Sequence, residues 1–166
     1  NTGGTPLQPQ EIRACVFYGD FNELLSELAE NPSWRAIFGK ENRRMKEEEL
    51  ILRFFSLFYE HTEYKNVLKS FINSFMKRNR KLELHNKSEL KNLFINTIQF
   101  IHESVGDKAF RIGNRLNAAI FDAVMLGTAS RLQTNPNPDK VVFKAKYDDL
   151  LQDAEFKTFV DSRTSS

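Results

Sequence analysis

The side chains able to do chemistry in this chain are scattered, with two exceptions. Three histidines, His61, His85 and His102, fall in separate segments, and none has a Cys or a second His at the spacing a metal site uses. The single cysteine, Cys15, has no histidine near it in sequence. It falls with Ile12 and Val16 on the apolar side of a short helical pattern, where a packed thiol is expected and not a nucleophile. Carboxylates are abundant, but no local pair reads as an acid and a base. The first exception is Asn1-Thr2-Gly3-Gly4-Thr5-Pro6, a glycine-bearing turn that leads into a helix start at Pro9. N–H groups left unpaired by such a turn and helix end can hold an anion, and Arg13, one turn into the helix, can aim its guanidinium at the same place. A tight opening turn with Arg13 in a salt bridge accounts for the same residues equally well, and no P-loop Lys is present. The second exception is Lys77-Arg78-Asn79-Arg80-Lys81, four positive charges in five residues. Such a run suits the negative end of a helix dipole and also a phosphate backbone. Its sequence has no interleaved aromatic.

Composition narrows what these two features can serve. The formal net charge is only +2 with 28% charged residues, so bulk charge does not make the chain a polyanion binder, and any nucleic-acid contact must come from a local patch. At 166 residues and 40% hydrophobic, the chain reads as one domain with an appended tail. One cysteine excludes an internal disulfide framework and fits a reducing compartment, so a cytoplasmic setting is expected. No apolar run approaches the roughly 18–20 residues of a membrane span, and no signal peptide opens the chain. The start at Asn1, without Met, reads as internal to something longer.

The elements that must position these side chains are helical. Leu50 to Met76 organises the rest. Leu50, Ile51, Phe54, Phe55, Leu57 and Phe58 recur at helical spacing, and so do Val67, Leu68, Phe71, Ile72, Phe75 and Met76. The polar link His61 to Lys65 between them predicts an antiparallel helical hairpin. Arg53 borders the first apolar stripe; it can run its methylenes over that surface or be fixed by a carboxylate. Ahead of the hairpin, Pro9 and Glu11 open a helix whose apolar face is Ile12, Cys15 and Val16. Glu11 suits the positive end of that helix dipole. Asp20 caps a second helix, and Asn31-Pro32 starts a short third one closed by Gly39. After it, Ser88 to Val105 carries the cleanest stripe in the chain and stops at Gly106. Phe110 and Ile112 plug the core, and Asn114 caps the last major helix. Asn117 and Asp122 lie beside its stripe and need partners if buried. Thr134 to Asp139 is a breaker, followed by two short helices. The expected architecture is an all-α, compact multi-helix bundle with the hairpin at its centre, six or so helices by periodicity, and no sheet beyond a short extended stretch at 1–6. The division is a helical subdomain at 1–133 and a linker with short helices at 134–166. Phe54, Phe71 and Phe94 are expected in one core.

Helical patterning stops at fold class, and a resemblance goes further. The opening Asn1 to Arg13, Asn-Thr-Gly-Gly-Thr-Pro-Leu-Gln-Pro-Gln-Glu-Ile-Arg, closely resembles the segment that leaves the ParB-like core in the GmrSD-type restriction endonuclease N-terminal domain family. The run Arg44 to Phe55 and the run Phe71 to Met76 look like that family's helical part, and Asn114 to Val124 fits more loosely. Together they cover roughly residues 1–130. In that family the ParB-like core carries an Asp-Gly-Gln-Gln-Arg-type motif and a second motif of Phe, three residues and Asn. Asn1 would be that final Asn, and the first motif has no counterpart here. The resemblance implies the helical half of a nucleotide-dependent protein of modification-dependent restriction and phage defence. It would support nucleotide or DNA binding and relay it to an HNH-type nuclease module. On this reading Asn1, Gly3, Gly4 and Arg13 face the nucleotide, Lys77, Arg78, Arg80 and Lys81 face DNA, and Arg53 and Glu11 are structural polar residues. The nucleotide triphosphate and a divalent metal belong to the intact protein. Without the core motif, this stretch is expected to carry no catalysis. The competing expectation is a free-standing helical protein-interaction module.

Overall fold

The computed structural model describes residues 4–40, 45–65 and 67–164. Among them are nine α-helices: α1 (Pro9–Val16), α2 (Asp20–Ala29), α3 (Pro32–Phe38), α4 (Lys46–Glu60), α5 (Leu68–Arg78), α6 (Lys87–Val105), α7 (Ala118–Thr134), α8 (Lys140–Gln152) and α9 (Ala154–Thr164). A 3-10 turn, His61–Glu63, links α4 to α5. The only strands among the described residues are β1 (Arg111–Ile112) and β2 (Arg115–Leu116), paired antiparallel. The fold is all-α, as the periodicity predicts. None of the described helices is long and apolar enough to cross a membrane.

Two compact units share the chain. The first draws on Asn1–Glu30 and Lys40–Asn92. The α4–α5 hairpin is its centre, with α2 and α1 packed on α4. Leu50, Ile51, Leu52, Phe54 and Phe55 of α4 are buried, as are Phe71, Ile72, Phe75 and Met76 of α5 and Phe21, Leu24, Leu25 and Leu28 of α2. Phe21 ties the three helices together, its ring centroid 6.1 Å from Phe55 and 5.9 Å from Phe75. Each such side chain, fully buried, contributes about 1.5–3 kcal/mol of transfer free energy. The expected stripe on α4 is shifted slightly. Leu52 is fully buried, whereas Leu57 and Phe58 are half-buried. Val67 is the N-cap of α5 and stands 61% exposed.

The second unit draws on Asn31–Gly39 and Leu93–Ser166. Its core gathers on Trp34 of α3, whose ring lies 5.5 Å from Phe121 of α7 and 6.1 Å from Phe94 of α6. Phe110 packs on Phe121 at 5.1 Å. The Phe110 N–H donates to the Tyr147 hydroxyl at 2.9 Å, which anchors α8. Phe54, Phe71 and Phe94 are therefore all buried, but the first two belong to one unit and Phe94 to the other.

Three local readings are corrected. Asn114 does not cap α7; it turns the β1–β2 hairpin together with Gly113, whose φ of 58° is the left-handed region such two-residue turns require. The cap is Asn117, whose side chain accepts from the N–H groups of Ala119 and Ile120 at 2.9 and 3.1 Å, so this residue has the partners its position demands. Ile112 does not plug the core; it is 52% exposed on that hairpin, while Phe110 is buried. Finally, Gly19 and not Asp20 occupies the N-cap of α2, and Asp20 opens its first turn.

Candidate nucleic-acid interface

Helix α1 docks through the opposite face from the one its apolar residues predict. Ile12 is 44% and Val16 59% exposed, and Cys15 is exposed too, not packed. Gln10 and Arg13 point inward instead. The reason is a polar network. The Arg13 guanidinium donates to Asn73 Oδ1 of α5 at 2.6 Å, to Glu49 Oε2 of α4 at 2.8 Å and to Gln10 Oε1 at 3.1 Å. A charge-assisted set of this kind satisfies a guanidinium that is 4% exposed, and it pins α1 to both arms of the hairpin. Glu11 accepts from the Gln8 N–H at 2.6 Å and so closes the first turn of the helix. Arg53 is half-buried on α4. Gly4 is exposed, with open space where a Cβ would stand. Asn1 and Gly3 lie outside the described residues.

That docking brings the end of α1 beside the end of α5. Helix α5 stops at Arg78; the Asn79 N–H still bonds to Phe75 O at 3.0 Å, and the Leu82 N–H closes on Asn79 O at 2.8 Å. This turn faces the α1–α2 junction, and the two are locked together by backbone. The Phe21 N–H donates to Arg80 O at 3.2 Å. A Cβ on Gly19 would stand 2.8 Å from the same oxygen, so only glycine allows the approach.

The result is a cleft of about 460 Å³. Lys77, Arg78, Arg80 and Lys81 line one side, with Glu83 beyond them, and Val16 and Phe17 line the other. The four cations singled out in sequence thus share one concavity, and it supplies the aromatic their own segment lacks. Lys77, Arg80 and Lys81 form no ion pair among the described residues. Arg78 pairs with Glu60. It also lines a second cleft, of about 720 Å³, that carries Glu60 and Glu63. Lys65 lines that cleft as well, so its formal charges balance. Farther along, Lys87 and Lys91 of α6 are both bound to Glu27 of α2, Lys87 at 2.8 Å. The hydrogen bonds from Lys87 and Lys91 hold the Glu27 carboxyl below its usual range, and that carboxylate raises Lys87 in turn. Their charge is already answered, whereas among the described residues that of Lys77, Arg80 and Lys81 is not.

The histidines stay apart. His85 stacks on Tyr59 with ring centroids 3.7 Å apart, and its Nδ1 lies 3.7 Å from Glu89. His102 Nε2 contacts Asp107 Oδ1 at 2.7 Å. Among the described residues no group of three or more His, Cys, Asp or Glu is placed to hold a metal ion. Sequence reasoning found the cations but missed Phe17, which sits outside the run by sixty residues and is brought to it by the contact of Gly19 and Phe21 with Arg80. A glycine between two helices, with no turn sequence to require it, was the available signal. Comparisons with family models, with curated proteins and with solved structures find no match to the chain.

Proposed function

We propose that this chain is the helical part of a ParB-like, nucleotide-dependent protein of modification-dependent restriction and phage defence, and that its own contribution is to bind nucleic acid at the 77–81 turn. The observation that carries the binding role is the convergence of Lys77, Arg80 and Lys81, without carboxylate partners among the described residues, on one cleft. The resemblance of Asn1 to Arg13 supports the family. In this reading a ParB-like core holds the nucleotide and its divalent metal, and the opening segment with Asn1, Gly3 and Gly4 adjoins that site. Arg13 serves it from behind, by fixing the helix that carries the segment. An HNH-type nuclease module receives the signal. A protein-interaction module is the second reading, and the exposed Leu7, Ile12 and Val16 on and before α1 favour it.

Two measurements separate them. Fluorescence anisotropy with labelled DNA should show binding that weakens with salt, with a log–log slope of about −2 on a single strand, or nearer about −3 on a duplex, if three phosphates are neutralised. The triple variant Lys77→Gln, Arg80→Gln, Lys81→Gln should lose at least about tenfold in affinity. No DNA binding at low salt leaves the interaction module standing. Reading the gene upstream of Asn1 tests the family, since an Asp-Gly-Gln-Gln-Arg-type motif must precede it.

A further inference from the structure

Resting on that reading, we infer that the ligand of the basic cleft is single-stranded nucleic acid, with its phosphates on Lys77, Arg80 and Lys81 and a base laid against Phe17. Three features of the cleft point this way. The cations line a concavity, whereas a protein that reads a duplex offers a helix or ribbon that protrudes into a groove. Its volume of about 460 Å³ falls in the range of sites for small molecules, about 300–1,000 Å³, and is enough for a nucleotide unit. The wall facing the cations is apolar, formed by Val16 and the half-buried Phe17. A charged wall that follows the backbone and an aromatic that takes a base are the two components of sequence-tolerant single-strand binding.

The surroundings limit the strand. Past Arg78 the next cleft carries Glu60 and Glu63 against Lys65 and Arg78, with Glu60 paired to Arg78, so no excess of positive charge draws the strand on there. Glu83 limits the cleft on its own rim and holds the site to few phosphates. Gly19 sets the distance between the two walls, because the α1–α2 junction rests directly on the Arg80 carbonyl.

The test uses the whole 166-residue chain and three labelled ligands of about 12 nucleotides, within the span a single binding fold covers. These are a single strand, the matching duplex, and an abasic strand with the same phosphates. The single strand should bind at least about tenfold more tightly than the duplex, and the abasic strand about tenfold more weakly than the single strand. Phe17→Leu keeps the apolar volume and loses the ring; it should weaken the single strand by a similar factor and leave the duplex unchanged. The abasic comparison needs no variant, so it decides the matter even if Phe17→Leu fails to fold. Duplex binding as tight as single-strand binding, or equal affinity for the abasic strand, overturns the inference while nucleic-acid binding stands. Failure of all three ligands to bind removes both. Equal affinity for vesicles containing phosphatidylserine, or for polyaspartate, also overturns it, because the cleft would then answer to negative charge alone.

Discussion

Arg13 shows how one residue can decide the pose of a helix. Ile12, Cys15 and Val16 would bury apolar area if α1 were rolled over, yet they face outward because the guanidinium takes its partners from α4, α5 and its own helix. Removing it leaves Asn73 and Glu49 without their donor. Breaking a buried pair costs about 3–5 kcal/mol, and Glu49 is about a third exposed and can return to water, so Arg13→Ala should cost about 2–3 kcal/mol in denaturant unfolding. Cleft affinity, measured on the folded variant, should stay within about twofold, because Arg13 does not line it. A loss of affinity at unchanged stability would instead place Arg13 among the ligand contacts. The salt bridge was legible in the sequence as one of two alternatives, but its partners were not. Asn73 and Glu49 are sixty and thirty-six residues away, and in an eight-residue helix the apolar pattern is too short to outweigh them.

At the scale of elements, α4, α5 and α6 were readable because each repeats its apolar stripe over several turns. Junctions were not. The Gly113-Asn114 pair is a hairpin signal, but two residues on each side leave no alternation to notice, and Asn114 looked like a cap. Two of the tertiary anchors at such junctions are tyrosines, and they make a pH prediction. Burial raises the Tyr147 hydroxyl above its usual value, with Asp148 adding to the effect and the bond from the Phe110 N–H opposing it. Tyr59 is raised as well, first by burial and then by its hydrogen bond to Glu89. A tyrosine whose folded pKa is raised holds its proton after the unfolded chain has lost it. Its stabilisation is complete below the unfolded value of about 10 and disappears as pH rises through the folded value. Melting temperature should therefore fall between about pH 9 and pH 11, and Tyr59→Phe and Tyr147→Phe should each fall less steeply. Slopes identical to the parent would show that neither hydroxyl titrates differently on unfolding.

For the whole molecule, the question is whether binding follows total charge or its placement. The net charge is +2, and neutralising three cations brings it to −1 wherever they lie. Lys77, Arg80 and Lys81 replaced by Gln should abolish most nucleic-acid affinity. Lys140, Lys144 and Lys146 of α8, changed in the same way, should shift it by less than about threefold, since none of them lines the cleft. Lys140 and Lys144 already answer Glu103 and Asp148. Equal losses from the two triples would mean that the molecule binds by its overall field.

The outward roll of α1 has a practical side. It leaves the chain's sole thiol, Cys15, in solvent, one position before Val16 on the cleft wall. A maleimide dye would therefore attach at a single defined place, beside the basic cleft, with no engineered cysteine and no competing label. Its emission would report occupancy directly, so that titrations could be followed on unlabelled strands of any length or chemistry.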